Sequence, residues 1–171
     1  MTMNKISFLK DQIIESRNFI NRLISEIPED LWYTIPDNTD SNFAWQIGHL
    51  MMSQNFHAIT AITGRNKKVY DLIPVAEFVD KFNGMGSLHR SVEKDLIPTS
   101  KLKGQFDTIH KICLDNLSKL TDDILSEQIP FKHPIAVTRY EALSWSFKHE
   151  MWHSAEMEAI KRDLGHPIKW I

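Results

Sequence analysis

The stretch HEMWH, residues 149 to 153, has the spacing of the H-E-x-x-H motif, in which two histidines bind zinc and a glutamate activates a water molecule. His149 and His153 project from the same face of a helix, because four residues complete one turn and advance only about 40° beyond it. They lie beside an apolar stripe formed by Leu143, Phe147 and Met151. We therefore expect both imidazoles to point into the protein interior, where each needs a polar partner such as a metal ion.

A metalloprotease built on this motif needs a third ligand, and the sequence lacks one where that class places it. The extended protease pattern requires glycine at position 156 and histidine at position 159, and this chain has Glu156 and Ala159 there. The short tail after His153 leaves no room for a further helix that could carry a glutamate ligand. Such proteases also bind their peptide along a strand edge, and we predict no sheet. The sequence therefore argues against a protease.

His49 is the strongest candidate for a third ligand. It lies in the middle of an apolar segment predicted to be helical, with Trp45, Met52 and Phe56 on the same side. An imidazole from a facing helix would complete a three-histidine site that leaves one position open for water or substrate, as in catalytic zinc sites. Interiors of helical bundles commonly hold metal sites of this kind.

Length and composition limit the classes of protein to consider. With 171 residues, 42% of them hydrophobic and 25% charged, the chain suits one domain over residues 1–171. A formal net charge of -2 provides no bulk positive field for nucleic acid. The single cysteine, Cys113, excludes an intramolecular disulfide and is best explained as a small buried hydrophobe. With no signal-like or membrane-spanning apolar run, we expect a cytoplasmic protein without nucleic-acid or membrane partners.

Apolar residues recur at helical spacing along most of the chain, and strand-like alternation is nearly absent. A first helix is predicted over roughly residues 4–26 and a third over about 100–120. The second runs from a cap at Ser41 or Asn42 to a stop at Gly64, and the last from about Thr138 to Leu164. Four long amphipathic helices with two longer connections predict an all-α four-helix bundle.

The connections are less regular than the four helices. Between residues 65 and 98 we predict only a short helix in PVAEFVDKF, followed by a hinge at NGMGS. The connector after the first helix carries Leu31, Trp32 and Ile35, which we expect to fold back onto the bundle.

Two blocks of the sequence resemble a known family. The blocks are NFAWQIGHL in the second helix and HEMWHSAEMEAIKRDLG near the C-terminus, and they resemble the DinB superfamily of four-helix bundles, which includes bacillithiol and mycothiol S-transferases. Its members bind a divalent metal through one histidine of the second helix and an H-x-x-x-H pair on the last. The resemblance implies His49, His149 and His153 as ligands. Family members often continue with a small residue and glutamine, where this chain has Ala155 and Glu156.

Two glutamates near the proposed ligands have alternative roles. Glu150 is near enough to His153 to reach water on a metal, but its position on the helix also allows it to face a neighbouring helix or solvent. Glu156 is the better candidate for orienting a ligand imidazole through its free N–H, and it can also contact the metal. We therefore assign neither glutamate as a catalytic residue.

The remaining histidines favour ordinary structural roles. His57, two turns after His49, can line the cavity, but a packing role is favoured. Four others have no ligand-type spacing to one another and are expected at the surface: His89, His110, His133 and His166. Trp152 is expected to pack in the core rather than to shape a pocket mouth.

A three-histidine metal with an open position lowers the pKa of a bound thiol or water. The resemblance therefore implies a metal-dependent enzyme of the thiol S-transferase type, with a low-molecular-weight thiol as one partner and a second substrate that the sequence does not identify. Metal-dependent hydrolysis and a non-catalytic stress protein that binds metal or a small molecule are the alternatives. Imidazole ligands suit several transition metals, of which we favour zinc and nickel. Dimers are common in the family, so the resemblance also implies a homodimer.

Overall fold

The computed structural model describes residues 4–83, 90–93 and 96–169, and these residues are mainly helical. In chain order the helices are α1 (Lys5–Ser25), α2 (Phe43–Gln54), α3 (Ala61–Thr63), α4 (Lys67–Leu72), α5 (Val75–Phe82), α6 (Thr99–Leu117) and α7 (Arg139–Asp163). Helix α1 packs against α7, and α2 packs against both α6 and α7. The predicted all-α four-helix bundle is therefore confirmed. In the described ranges, β structure is limited to two isolated bridges, Ser41–Arg90 and Gln128–Thr138.

Side chains that accept hydrogen bonds begin α2 and α7 where the sequence predicted. The Asn42 side chain accepts a hydrogen bond from the Trp45 N–H, so Asn42 rather than Ser41 is the cap of α2. At α7, Thr138 and Glu141 form a reciprocal capping box. The α1 N-terminus is held from a distance, because the Asp122 carboxylate accepts from two free backbone N–H groups there, at 2.8 and 2.9 Å.

Helix α2 does not end at Gln54 but continues through a π-helical turn, Asn55–Thr60, into α3. The chain then leaves the helix at Gly64, whose φ of 82° is easily adopted only by glycine. The sequence predicted this end but not the π turn, which adds one residue to a helical turn and often marks a functional region. Helix α4 was also missed, because it is only six residues long.

The core lies where the apolar faces of the four long helices meet. Among its fully buried members are Ile13, Ile20, Ile47, Leu50, Phe106 and Leu143. Trp32 folds back onto this core as predicted and is 2% exposed, whereas Ile35 is 48% exposed, so the prediction for Ile35 was wrong. Cys113 is buried, as predicted.

Trp152 was predicted to lie in the core, and this prediction was wrong, since the side chain is 61% exposed. Helix α1 packs on α7, where Glu150 and Met157 are buried, and the edge that carries Trp152 is turned away from that face. The predicted hinge at NGMGS falls largely, and His89 entirely, outside the described residues. Across the part of the chain that is described, no helix combines the length and the apolarity needed to cross a membrane.

Candidate metal centre

Three histidines from two helices meet inside the bundle. His49 comes from α2, and His149 and His153 come from successive turns of α7. The His149 Nε2 atom lies 3.4 Å from His49 Nε2 and 3.1 Å from His153 Nε2. Nitrogen ligands at about 2.0–2.1 Å from a tetrahedral zinc ion are roughly 3.3–3.4 Å apart. These two separations are close to that value, and the ligand atoms of all three histidines lie within 4.8 Å of one another, so one small cation could be held by the group.

The tautomers of two of these rings follow from the partners of their Nδ1 atoms. His49 Nδ1 lies 2.7 Å from the carbonyl oxygen of Phe82, which can only accept, so Nδ1 carries the proton. His153 Nδ1 lies 2.6 Å from Gln46 Oε1, which is also an acceptor. In the neutral form, each of these rings therefore directs the lone pair of Nε2 toward His149, an arrangement that a cation stabilises.

His149 completes the group, with a partner that permits either tautomer. Its Nδ1 atom lies 2.7 Å from Ser53 Oγ, and a hydroxyl can donate or accept. If Nδ1 donates to Ser53, all three Nε2 lone pairs converge and suit a metal. If Ser53 donates, the His149 Nε2–H can instead bond to a neighbouring imidazole. The side chains therefore satisfy each other without metal and are also able to hold one.

Burial keeps two of the ligand candidates, His49 and His149, neutral at physiological pH. Burial is the main cause that lowers the pKa of His49 to about 4, and the charge of a protonated His153 would lower it further. Burial also lowers the pKa of His149 to about 2, with the neighbouring His153 and His49 acting in the same direction. Only a neutral imidazole has a lone pair for a metal, so both rings are in the binding form at pH 7.

Glu156 supports the His153 ring, as the sequence suggested. One of its carboxylate oxygens lies 3.3 Å from His153 Nδ1 and 3.0 Å from Gln46 Nε2, and it also forms an ion pair with Arg90. Burial raises the pKa of Glu156, but the hydrogen bonds from His153 and Arg90 outweigh burial and leave this pKa at about 2. Because the carboxylate holds the Gln46 amide N–H₂, the Gln46 oxygen must face His153.

Glu150, the glutamate of the H-E-x-x-H pattern, faces away from the histidines. Its side chain is 2% exposed and forms a 2.5 Å ion pair with Arg17 of α1. Ser16 donates a second hydrogen bond to the same carboxylate. Arg17 also contacts the Phe106 carbonyl and Gln54, so the pair links α1 with α2, α6 and α7. Glu150 is therefore part of the bundle's internal ion pair, and the protease pattern is not assembled.

A cavity of about 930 Å³ adjoins the histidine cluster. His49 and His149 contribute to its wall, together with Ser53 and His57. Much of the remaining wall is apolar, including Phe56, Val79, Phe82, Phe131, Ile135 and Trp145. Among the described residues that line it, none is aspartate or glutamate. A small, largely apolar molecule can therefore approach the open side of the cluster.

Two further predictions about histidines were wrong. His133 is only 9% exposed and bonds to His57, and His110 is half-buried and bonds to Gln54, although both were expected at the surface. His57 lines the cavity instead of serving only in packing. The sequence contains no local signal for these pairings, because each partner lies on a distant segment.

Sequence reasoning also missed the side chains that orient the three clustered imidazoles. Gln46 and Ser53 lie three residues before and four residues after His49, on the same stripe of an otherwise apolar helix. Polar residues on a buried stripe are a signal from which both residues could have been found. The Phe82 carbonyl could not have been found in this way, since every residue has one.

Fold and site together define a class, the all-α bundles with a candidate histidine metal centre between two facing helices. The family model of the DinB superfamily matches residues 12–157, a span that contains all three histidines. The chain therefore belongs to the DinB superfamily, as the resemblance implied. None of the curated proteins matches the chain.

Proposed function

We propose that this protein binds one divalent transition-metal ion through His49, His149 and His153, with zinc or nickel as the preferred ion. The main support is the convergence of three Nε2 atoms whose rings are oriented through their Nδ1 atoms by Phe82, Ser53 and Gln46. Neutral imidazoles suit both metals, and the oriented rings lose little further freedom on binding.

We further propose that the centre serves a metal-dependent transferase that moves a low-molecular-weight thiol onto an electrophile. A bound divalent ion supplies Lewis acidity that lowers the pKa of a thiol. Attack by water usually also needs a general base, and the two glutamates close to the histidines are already engaged, Glu150 with Arg17 and Glu156 with Arg90. A thiol ionises more readily than water, so the absence of acidic residues among the described cavity residues favours thiol transfer over hydrolysis.

Metal content tests the first part of the proposal. Untagged protein, purified without chelator and reconstituted with zinc, is expected to hold about one equivalent by elemental analysis. The His49→Ala variant is expected to lose it. A matched His166→Ala variant, which removes a histidine outside the cluster, is expected to keep it. Equal metal in all three proteins would contradict the proposed centre.

Thiol consumption tests the second part. Zinc-loaded protein is mixed with mercaptoethanol and chlorodinitrobenzene, and formation of the aryl thioether is followed by absorbance. The sulfur forms a bond to the ring carbon, chloride leaves, and the thiol proton passes to solvent. We expect thioether formation to be faster than with the same concentration of free zinc. The His49→Ala variant should lose this excess rate. Stoichiometric metal without any turnover of this or other thiol and electrophile pairs would instead indicate a non-catalytic binding protein.

A further inference from the structure

A second pair of histidines lies next to the candidate metal centre. His57, from the π-helical turn, places its Nδ1 atom 2.9 Å from His133 Nε2 in the connection between α6 and α7. The rings of His57 and His149 are 6.1 Å apart between centroids. The Phe56 ring stacks on the His133 ring, with 4.9 Å between the ring centroids. The pair is therefore firmly packed and adjoins the cluster without belonging to it.

Backbone groups determine which nitrogen of each ring carries a proton. The N–H groups of Ala136 and Ile135 point at His133 Nδ1, at 3.0 and 3.4 Å. Because a backbone N–H only donates, His133 Nδ1 must be an acceptor and the proton must be on Nε2. That Nε2–H donates to His57 Nδ1, so the proton of His57 is on its Nε2 atom. The two rings thus form a chain of donors that starts at the backbone and ends at His57.

The ring of His57 is held neutral in this arrangement. Burial is the main cause that lowers the pKa of His57 to about 3, and burial also lowers the pKa of His133. A neutral ring with its proton on Nε2 is a hydrogen-bond donor and cannot act as a base at that nitrogen.

The donor has no partner of its own among the residues that the structure describes. His57 is 8% exposed, it lines the cavity, and its one hydrogen bond to a described residue is the bond through Nδ1 to His133. The His57 Nε2 atom is not one of the buried polar atoms that lack a partner, so it remains open to the cavity, where water can accept its proton. Because most of the exposed wall is apolar, a bound molecule that displaces this water must supply an acceptor of its own, since the N–H would otherwise be buried without one.

We propose that His57 is a ligand-binding residue that donates a hydrogen bond from Nε2 to a carbonyl oxygen of a small apolar molecule held in the cavity. The molecule's carbon body packs on the aromatic and aliphatic wall, and its oxygen lies toward the histidines. The hydrogen bonds from the Ala136 N–H to His133, and from His133 to His57, fix the His57 ring and so the direction in which its Nε2–H donates. That this ligand is the electrophilic substrate rests on the proposed function, whereas its binding does not.

The test compares acetophenone with ethylbenzene, which has a similar shape but no carbonyl. Dissociation constants are measured by NMR titration of the full chain, first without metal and then loaded with zinc, for the parent, His57→Phe and His57→Gln. The quantity compared is the ratio of the two ligands' affinities. We expect His57→Phe to reduce the preference for acetophenone by roughly three- to tenfold, as for loss of one hydrogen bond. His57→Gln, which retains an N–H donor, should recover most of it.

A measurement on the parent alone keeps the test independent of how well the variants fold. In a nitrogen-15 spectrum of the histidine side chains, both His57 and His133 should show the neutral form with the proton on Nε2. The His57 Nε2–H signal should shift with acetophenone and not with ethylbenzene. An unchanged affinity ratio in His57→Phe, no saturable binding of either ligand, or a proton on His57 Nδ1 would each overturn the inference. If zinc fails to bind but the affinity ratio changes as expected, the proposed function fails and this inference stands.

Discussion

The chemistry that each imidazole can perform at Nε2 depends on the hydrogen-bond partner of its Nδ1 atom. His49 and His153 direct Nε2 into the cluster because an acceptor holds Nδ1, whereas His57 presents an N–H because its Nδ1 is itself an acceptor. Residues of one type, a few ångströms apart, therefore offer a lone pair in one case and a proton in another. This difference separates candidate ligands from the candidate donor.

Replacing Glu150 tests whether the H-E-x-x-H glutamate has a role in metal binding. We expect Glu150→Gln to leave the metal content unchanged and to lower the free energy of unfolding by about 3–5 kcal/mol, because Arg17 becomes a buried charge without its counter-ion. Elemental analysis and urea denaturation measure the two effects.

The double variant Arg17→Met/Glu150→Gln is the matched control for that prediction. It removes both buried charges, so a large part of the lost stability should return. A folded Glu150→Gln protein that had lost its metal would instead show that the glutamate acts at the centre.

Replacing Glu156 tests the support of the His153 ring. Glu156→Gln is expected to weaken metal binding by about tenfold to a hundredfold, because Gln46 and His153 lose the carboxylate that orients them. The dissociation constant is measured by competition with a chelator. Glu15→Gln, an exposed change on α1, should leave it unaltered. Equal metal affinities in the two variants would show that Glu156 does not orient the His153 ring.

At the scale of elements, helical periodicity brings the candidate ligands of one helix together, and packing brings the helices to one another. Helix α7 supplies His149 and His153 from one face, α2 supplies His49, and the end of α5 supplies the carbonyl that orients it. The approach of α5 to α2 depends on Gly48. A Cβ atom there would lie 2.3 Å from the ring of Phe82, which is itself buried.

Adding a methyl group at this contact should therefore disturb both packing and metal binding. We expect Gly48→Ala to lower the free energy of unfolding by about 1–3 kcal/mol through overpacking, and to weaken metal binding as Phe82 is displaced. Thermal denaturation and chelator competition measure the two effects.

Gly104→Ala on α6 is the matched control, since nothing lies within 4 Å of a Cβ atom built there. It should raise the free energy of unfolding by roughly 0.5–1 kcal/mol, because alanine loses less backbone entropy in a helix. If Gly48→Ala were as stable as the parent and bound metal equally well, α5 would not depend on this close approach.

For the whole molecule, burial of neutral histidines makes stability depend on pH. Burial is the main cause that lowers the pKa of His110 to about 3, and the nearby charge of Arg17 acts in the same direction. As pH falls below about 6.5, the unfolded chain binds a proton at this residue and the folded chain does not. The free energy of unfolding therefore decreases as pH falls toward 3, in a window that begins at the pKa of the unfolded chain.

His110→Gln isolates the contribution of that residue. In metal-free protein, between about pH 5.5 and 4, the slope of the free energy of unfolding against pH should be shallower than in the parent by about 1.4 kcal/mol per pH unit. Urea denaturation at a series of pH values measures this slope. An identical slope in both proteins would mean that His110 titrates alike in the folded and unfolded chains.

The sequence by itself determined the features that arise within one helix. Apolar periodicity and capping residues located the four long helices to within a few residues, because both act between positions three or four apart. The same spacing put His149 and His153 on one face, and the apolar helical setting of His49, together with the resemblance to a family, indicated His49 as their partner across the bundle.

Tertiary structure alone decided how the helices rotate against one another and what each polar side chain meets. It paired Glu150 with Arg17, turned Trp152 outward, and joined His57 to His133, which lies in a different segment of the chain. These contacts depend on hydrogen-bond and ion-pair geometry between segments brought together only when the core packs. No periodicity in the chain encodes that geometry. Only the folded molecule therefore showed which nitrogen of each imidazole carries the proton, and so which histidines are candidate ligands and which is a candidate donor.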